Sequence, residues 1–244
     1  MSGLPRLGSR LQRWRYEAGR VGSAGWVVSA ALAVAGGGFL ELLAAVHGPV
    51  SRTAGSLVEA VLPLGAAICV AGLFGGDSCV ELHLSLPVSY GLTLARRFVL
   101  VVVGAAVVAA ALWATLALSG TWSASAGALA GQLAWLVPLL VLCCLAAVAA
   151  ALAANGRAAV GLVAALWTAE EWFKNDMITT GWDRALYLFA TARADQPPYL
   201  VDGRLTGEWL FNRLALLALA AALAVAALLA LRRAHRLLGQ RGNA

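Results

Sequence analysis

The chain has 244 residues, of which 61% are hydrophobic and only 12% are charged, and its mean hydropathy is +0.80. Because soluble domains carry about 25% charged residues, this composition excludes an ordinary soluble protein and indicates a membrane protein. The net charge is +6. The four cysteines form no C-x-x-C pair, so the sequence predicts neither a metal site nor a disulfide.

Residues 1–22 have the pattern of an amphipathic helix that lies on the membrane surface. Apolar residues recur along one face, and arginines occupy the other. Such a helix places its arginines against anionic lipid headgroups. The predicted lipid-surface residues are Arg6, Arg10, Arg13 and Trp14. A nucleic-acid-binding arm is the weaker alternative, because arginines beside a span usually set topology, and no nucleic-acid partner is predicted.

Residues 23–231 form the predicted membrane domain. Six apolar stretches, at about residues 22–46, 57–74, 98–118, 127–154, 158–173 and 209–231, approach the roughly twenty residues that a bilayer requires. Pro63 and Pro138 lie inside spans two and four, where a kink is tolerated if neighbouring groups bind the freed carbonyl. Glycine pairs at 72 and 76 and at 127 and 131 have the spacing of close helix contacts, although chance matches are expected in so Gly-rich a chain.

The loop of residues 75–97 interrupts the apolar chain after span two. Ser78 and Glu81 have the S-x-x-E spacing of a capping box, and Pro87 ends the short helix that they begin. Ser89 can then start a second helix that runs into span three. Two alternatives stay open: an ordinary loop, and a strand indicated by alternating apolar residues from Val80 to Leu86.

Arginine placement predicts the orientation. Residues 1–22, 75–97, 155–157 and 232–244 together hold twelve arginines and three acidic residues, whereas the rest of the chain holds six basic and nine acidic residues. The positive-inside rule therefore places both termini, the loop 75–97 and the tail 232–244 in the cytoplasm. Residues 174–208 become an extracytoplasmic segment, whose aromatic residues suit the membrane interface and whose residues 186–190 are apolar enough to re-enter the outer leaflet.

Several functions lack their residues in this chain. It contains no G-x-x-x-x-G-K-[ST] motif, and no catalytic, cofactor-binding or metal-binding set converges within the spans. Glu41, Glu59, Glu170 and Arg213 fall toward the outer ends of spans, where we expect them to be solvated; an acidic vestibule of Glu41 and Glu59 is the alternative. A membrane enzyme and an ion-coupled secondary transporter are therefore disfavoured.

One segment resembles a known family. The run from Glu81 to Ser89 (ELHLSLPVS), followed by Leu94-Ala95-Arg96, resembles the E-x-x-L-S-L-P-V-S … A-[KR] segment of bacterial ABC-2 type transporter permeases. The outer segment with Pro197-Pro198 and the final span ending in Arg232-Arg233 are also similar.

The resemblance implies the membrane subunit of an ABCG-like exporter in the bacterial cytoplasmic membrane. The expected fold is an all-α membrane protein with six transmembrane helices, an N-terminal interfacial helix and a short cytoplasmic coupling helix. That helix would dock on a separate ATPase subunit, present in two copies and carrying the ATP and Mg, beside a second permease subunit that is identical or related. The ATPase-coupling residues are then Ser78, Glu81, Leu82, Leu84, Leu86 and Pro87.

The family pattern also places spans two and five along the substrate path. In this chain those spans are almost entirely aliphatic, which suits an apolar or amphipathic lipid, drug or peptide, since a charged solute would be left unpaired there. The candidate path residues are Ala66, Cys69, Leu166, Trp167 and Thr168. A secondary transporter, a non-transporting accessory membrane protein and a membrane-embedded enzyme are the alternatives.

Overall fold

The computed structural model describes residues 55–75, 90–118, 128–153, 155–179, 181, 183–191, 199–201 and 204–241. This part of the chain is almost entirely helical, as predicted. Its six α-helices are α1 (Leu62–Gly75), α2 (Tyr90–Leu118), α3 (Ala128–Ala153), α4 (Gly156–Trp172), α5 (Lys174–Thr179) and α6 (Gly207–Arg241). A 3₁₀ turn (Asp183–Ala185) and a hairpin of two short antiparallel strands, β1 (Leu200–Val201) and β2 (Arg204–Leu205), lie before α6.

A π-helical turn, Leu57–Val61, leads directly into α1. Within it, the N–H of Leu62 donates to the carbonyl of Leu57, five residues earlier. Pro63 explains the widened turn, because it has no N–H for the carbonyl of Glu59 and its ring crowds that carbonyl. π-turns inside α-helices are frequent at functional sites, and this one carries Glu59.

The helix α2 begins at Tyr90, directly after Ser89, and continues without a break to Leu118. Pro138 lies inside α3 without ending that helix. Only two residues join α3 to α4, and the Asn155 side chain caps α4 by accepting a hydrogen bond from the N–H of Arg157 at 2.9 Å.

The helix α3 is the centre of the bundle and packs against α1, α2, α4 and α6. In the most apolar 18-residue stretch of each helix, 56% of the residues of α3 are buried, against 28% for α2 and 17% for α6. Small side chains bring the helices close together: a Cβ on Gly131 would lie 2.4 Å from Trp113 Cζ2 of α2. This glycine is therefore a close helix contact, whereas a Cβ on Gly72 would meet nothing within 4 Å.

The helices α1 to α4 alternate in direction along the chain. Trp167, near the end of α4, reaches Ala60, just before α1, and Trp113, near the end of α2, contacts Gly131 at the start of α3. The ends of α2 and α4 therefore lie at the same end of the bundle as the starts of α1, α3 and α6. We name this the strap end, after the segment described below.

Three of the described helices are long and apolar enough to cross a membrane: Gly91–Leu118, Gly131–Ala153 and Gly207–Arg232. Residues Leu57–Leu73 form a shorter apolar helix. These are properties expected of a multi-pass membrane protein. Helices occupy the positions of predicted spans two to six, and the six-span count stays a prediction. Predicted span one (22–46) and the interfacial helix (1–22) lie outside the described residues.

Candidate functional site

Residues 183–191, which we call the strap, cover one end of the bundle. Four consecutive apolar residues of the strap are almost completely buried, namely Tyr187, Leu188, Phe189 and Ala190. The chain here is a 3₁₀ turn followed by further turns, so a regular helical hydrogen-bond pattern does not satisfy all of its backbone N–H and C=O groups. Buried backbone groups require partners. Side chains of three different helical segments supply them.

The first of these side chains form a buried ion pair. Arg213 Nη2 of α6 donates to Glu59 Oε1 in the π-helical turn, and both side chains are fully buried. The prediction that Glu59 and Arg213 are solvated at their helix ends is therefore wrong. The prediction is also wrong for Glu170, which is 5% exposed. The strap folds back over these helix ends and excludes water from them.

Thr191 joins the ion pair to the strap. Its backbone N–H donates to Glu59 Oε1 at 2.9 Å, and its hydroxyl accepts from Arg213 Nη2 at 2.8 Å. The indole N–H of Trp209 donates to the same hydroxyl at 3.1 Å. The end of the strap is thus bound to the π-helical turn and to α6 at a single residue.

The helix α6 also binds the middle of the strap. Asn212 Nδ2 donates to the carbonyls of Arg184 and Tyr187 at 2.7 and 2.9 Å, and Arg213 Nη1 donates to the carbonyl of Leu188 at 2.9 Å. The Arg213 guanidinium carbon lies 5.4 Å from the centre of the Trp209 ring, a cation–π distance. The backbone of the strap is therefore held by directional contacts as well as by apolar burial.

The helix α4 provides the third set of contacts. Glu170 Oε2 accepts from the N–H of Leu188 at 3.1 Å. One turn earlier, the Trp167 ring meets Phe189 edge-on at 6.3 Å between centroids, and its indole N–H donates to the carbonyl of Ala60 at 3.1 Å. Trp167 thus connects the strap to the turn that carries Glu59.

Tyr199 holds the strap from the side of the hairpin. Its hydroxyl donates to the carbonyl of Arg184 at 3.1 Å. Burial raises the pKa of the Tyr199 phenol to about 12, so the hydroxyl stays protonated and remains a donor at physiological pH.

The polar side chains described above hold the strap against the helices, and we call this set the strap cluster, or clamp. Its polar groups bind backbone atoms of the strap and one another. Among the described residues, no group of three or more His, Cys, Asp or Glu is placed to hold a metal ion. What the arrangement can do is hold one end of the bundle closed, or open it when the contacts part.

The candidate path residues lie on α1 and α4, which pack against each other. Ala66 is fully buried and Cys69 partly buried, while Leu166 and Trp167 are partly buried and Thr168 is exposed. Thr168 Oγ1 donates to the carbonyl of Ala164 within α4. Of the five, Trp167 contacts the strap through the ring of Phe189. Their role as a substrate path stays a prediction.

The other predicted site residues lie outside the described residues. These are the coupling residues Ser78, Glu81, Leu82, Leu84, Leu86 and Pro87 and the lipid-surface residues Arg6, Arg10, Arg13 and Trp14.

The Glu59–Arg213 pair was not predicted, although the sequence contains a signal for it. Both residues fall at the same end of predicted spans, they have opposite charges, and they are flanked by apolar residues. The sequence does not show that a segment folds over them, and this burial is what turns two surface charges into an ion pair.

No family model, curated protein or solved structure matches this chain. The likeness of residues 81–89 to ABC-2 type permeases therefore stays a resemblance.

Proposed function

We propose that this chain is the permease subunit of an ATP-driven exporter of the bacterial cytoplasmic membrane. It would move an apolar or amphipathic substrate together with a second permease subunit and two copies of a separate ATPase subunit that binds ATP and Mg. The observation that carries the proposal is the segment Glu81–Ser89 with Leu94-Ala95-Arg96, which resembles the ATPase-docking loop of ABC-2 type permeases. Six transmembrane helices with both termini in the cytoplasm are part of the proposal.

The geometry of α2 supports this role for the loop. The helix begins directly after the segment and continues for 29 residues, or about 43 Å, which exceeds the roughly 30 Å of a bilayer core. Near its start, Thr93, Leu94 and Arg97 are buried. A displacement of the docking segment would therefore be transmitted through a packed, continuous helix rather than absorbed in a loop.

The strap suits an exporter in its resting state. Arginine placement predicts that the strap end faces outward. In the proposed transport cycle, ATP binding and hydrolysis at the cytoplasmic side favour different arrangements of the dimer. The strap would close the exit in one arrangement and release it in the other.

An exposed face of α4 supports a second subunit beside this one. Small or uncharged residues recur on this face at helical spacing and are exposed in the single chain, namely Ala158, Gly161, Leu162, Ala165 and Thr168. Small residues allow close helix approach in a membrane. Between Ala158 and Thr168 this face contains no ionisable side chain, in agreement with apolar or amphipathic cargo.

Co-purification tests the proposal. A tagged chain extracted from native membranes in mild detergent is expected to bring down an ATPase subunit. Leu84→Asp and Leu86→Asp are expected to abolish this association, because each leaves a charge in an apolar contact. His83→Asp adds the same charge at an already polar position of the segment and serves as the control. Retention of the ATPase by both leucine variants would refute the docking role.

The substrate class is tested in liposomes containing the purified complex. Amphiphiles are expected to stimulate ATP hydrolysis, and sugars or small ions are not. Leu166→Trp and Thr168→Trp are expected to change which amphiphiles are active, whereas Leu152→Trp, exposed at the opposite end of the bundle, serves as the control. Stimulation by hydrophilic solutes alone would contradict an apolar path.

Transport driven by an ion gradient is the second candidate. Glu59 and Glu170 are buried carboxylates, and such groups often bind coupling ions in transporters. Ionophores separate the two candidates: transport by the complex in vesicles supplied with ATP is expected to continue after the proton and sodium gradients are dissipated. Loss of transport under these conditions would favour the second candidate.

A further inference from the structure

We propose that the Glu59–Arg213 ion pair is a releasable latch, and that opening the strap end requires this pair to part. The proposal deepens the proposed transport function, on which it rests for what would pass the opened end. The opening itself is measurable without transport or ATPase.

The position of the pair makes it a latch. Glu59 and Arg213 are separated by 154 residues and belong to different helical segments, so their contact persists only while those segments stay together. Both also bind Thr191 of the strap, at 2.9 and 2.8 Å. Separating α6 from the π-helical turn therefore breaks the ion pair and loosens the strap in a single step.

The local backbone makes movement at Glu59 accessible. Glu59 lies in the π-helical turn before Pro63, where the regular α-helical hydrogen-bond pattern is already interrupted. A change of this turn toward another helical geometry would rotate the Glu59 carboxylate without breaking a complete α-helix. Trp167 Nε1 donates to the carbonyl of Ala60 in the same turn, so such a change would also reach α4 and Phe189.

The energetics favour release over permanent closure. Burying two charges costs solvation, and apolar residues of similar volume often stabilise a protein as well or better. Arg213 Nε also has no hydrogen-bond partner among the described residues, so the buried network is incompletely satisfied. When the strap end opens, water solvates both charges, whereas an apolar pair would expose hydrocarbon. An ion pair therefore lowers the cost of opening relative to an apolar pair at the same place.

The strap covers the two helices of the proposed path. Phe189 packs on Trp167 of α4, and Thr191 binds Glu59 immediately before α1. Release of the latch would thus uncover the ends of α1 and α4 together. This is the movement that an exit between these helices requires.

The test measures access to the strap by thiol labelling. The native cysteines are replaced, and Ala190→Cys is introduced as a probe because Ala190 is completely buried. Purified protein in liposomes is treated with a membrane-impermeant maleimide. Labelling is expected to be slow with the latch intact. Glu59→Gln and Arg213→Met, each alone, are expected to accelerate it by about tenfold or more, because each removes one of the two buried charges and leaves the opposite charge behind.

The double variant Glu59→Leu with Arg213→Met distinguishes a latch from a merely structural contact. It removes both charges, and labelling is expected to be slower than in either single variant, since no buried charge remains without its opposite, although the Thr191 N–H and the Leu188 carbonyl lose these side-chain partners. Labelling of the double variant as fast as the single variants would overturn the proposal. Equal labelling of all variants would overturn it as well.

Folding is controlled with a second probe. Leu118→Cys, at a position 90% exposed at the strap end, is expected to label equally in every background. If one single variant fails to fold, comparison of the other single variant with the double variant still decides, because the latch predicts slower labelling in the double variant. Failure of the ATPase to co-purify would refute the proposed function and leave this result unaffected, whereas unchanged labelling would refute the latch alone.

Discussion

The strap end and the centre of the bundle are held together by different forces. In the centre, α3 is packed through small and aliphatic side chains such as Ala146, Ala150, Leu139 and Leu142. At the strap end, carboxylates, an arginine, an asparagine and a tryptophan bind backbone atoms at defined distances. Apolar attraction is non-directional, whereas a hydrogen-bonded network has one arrangement in which its groups are satisfied. The strap end is therefore where a second, open arrangement would differ most.

The prediction with the largest expected effect is which side of the membrane the strap end faces. Leu118 and Leu152 are both strongly exposed, at 90% and 73%, and lie at opposite ends of the bundle. In intact cells, a cysteine at Leu118 is expected to react with an impermeant maleimide and a cysteine at Leu152 is not. Labelling of the second position alone would reverse the orientation and place the strap in the cytoplasm.

The next prediction concerns the Glu59–Arg213 ion pair at the centre of the strap end. Arg213→Met leaves Glu59 buried without its cation, which is expected to destabilise the protein by about 3–5 kcal/mol. Denaturant titration in detergent micelles, followed by tryptophan fluorescence, measures the change. Arg232→Met on the same helix is the matched control, because Arg232 is exposed. Equal stability of the two variants would mean that the ion pair contributes nothing to the closed structure.

Steric crowding tests the apolar region. Gly131→Ala would place a methyl group 2.4 Å from the Trp113 ring, so α2 and α3 must separate or the ring must move. Overpacking of this kind is expected to cost about 1–3 kcal/mol. Gly72→Ala makes the same change in open space and is expected to be neutral or slightly stabilising. The same titration compares the two, and an equal response would contradict the close contact of α2 with α3.

The smallest expected effect separates buried polar contacts from surface ones. Lys174 and Glu171 form an ion pair at 3.2 Å with both side chains about 30% exposed. Lys174→Ala is expected to change the free energy of unfolding by no more than about 0.5 kcal/mol, because solvent screens such pairs. A loss comparable to that of Arg213→Met would show that burial is not what distinguishes the strap cluster.

Helix positions followed from the sequence because apolar runs and helix starts are local. The start of α2 after Ser89 and the persistence of α3 through Pro138 are examples. The strap cluster did not follow, because it depends on contacts across 154 residues and on a segment that folds back over charged helix ends. Without that segment, the Glu59 carboxylate would be solvated at the end of its helix. With the segment over it, the carboxylate is buried and forms an ion pair with Arg213.

The most direct test of the clamp is a double-mutant cycle between Glu59 and Arg213. The free energy of unfolding in detergent is measured for the starting protein, Glu59→Leu, Arg213→Met and the double variant. If the two side chains stabilise the closed strap end as one buried pair, the double variant will be more stable than the sum of the single losses predicts, with a coupling of about 2–3 kcal/mol. Additivity within about 0.5 kcal/mol would contradict the account, because it would mean that the two charges act independently.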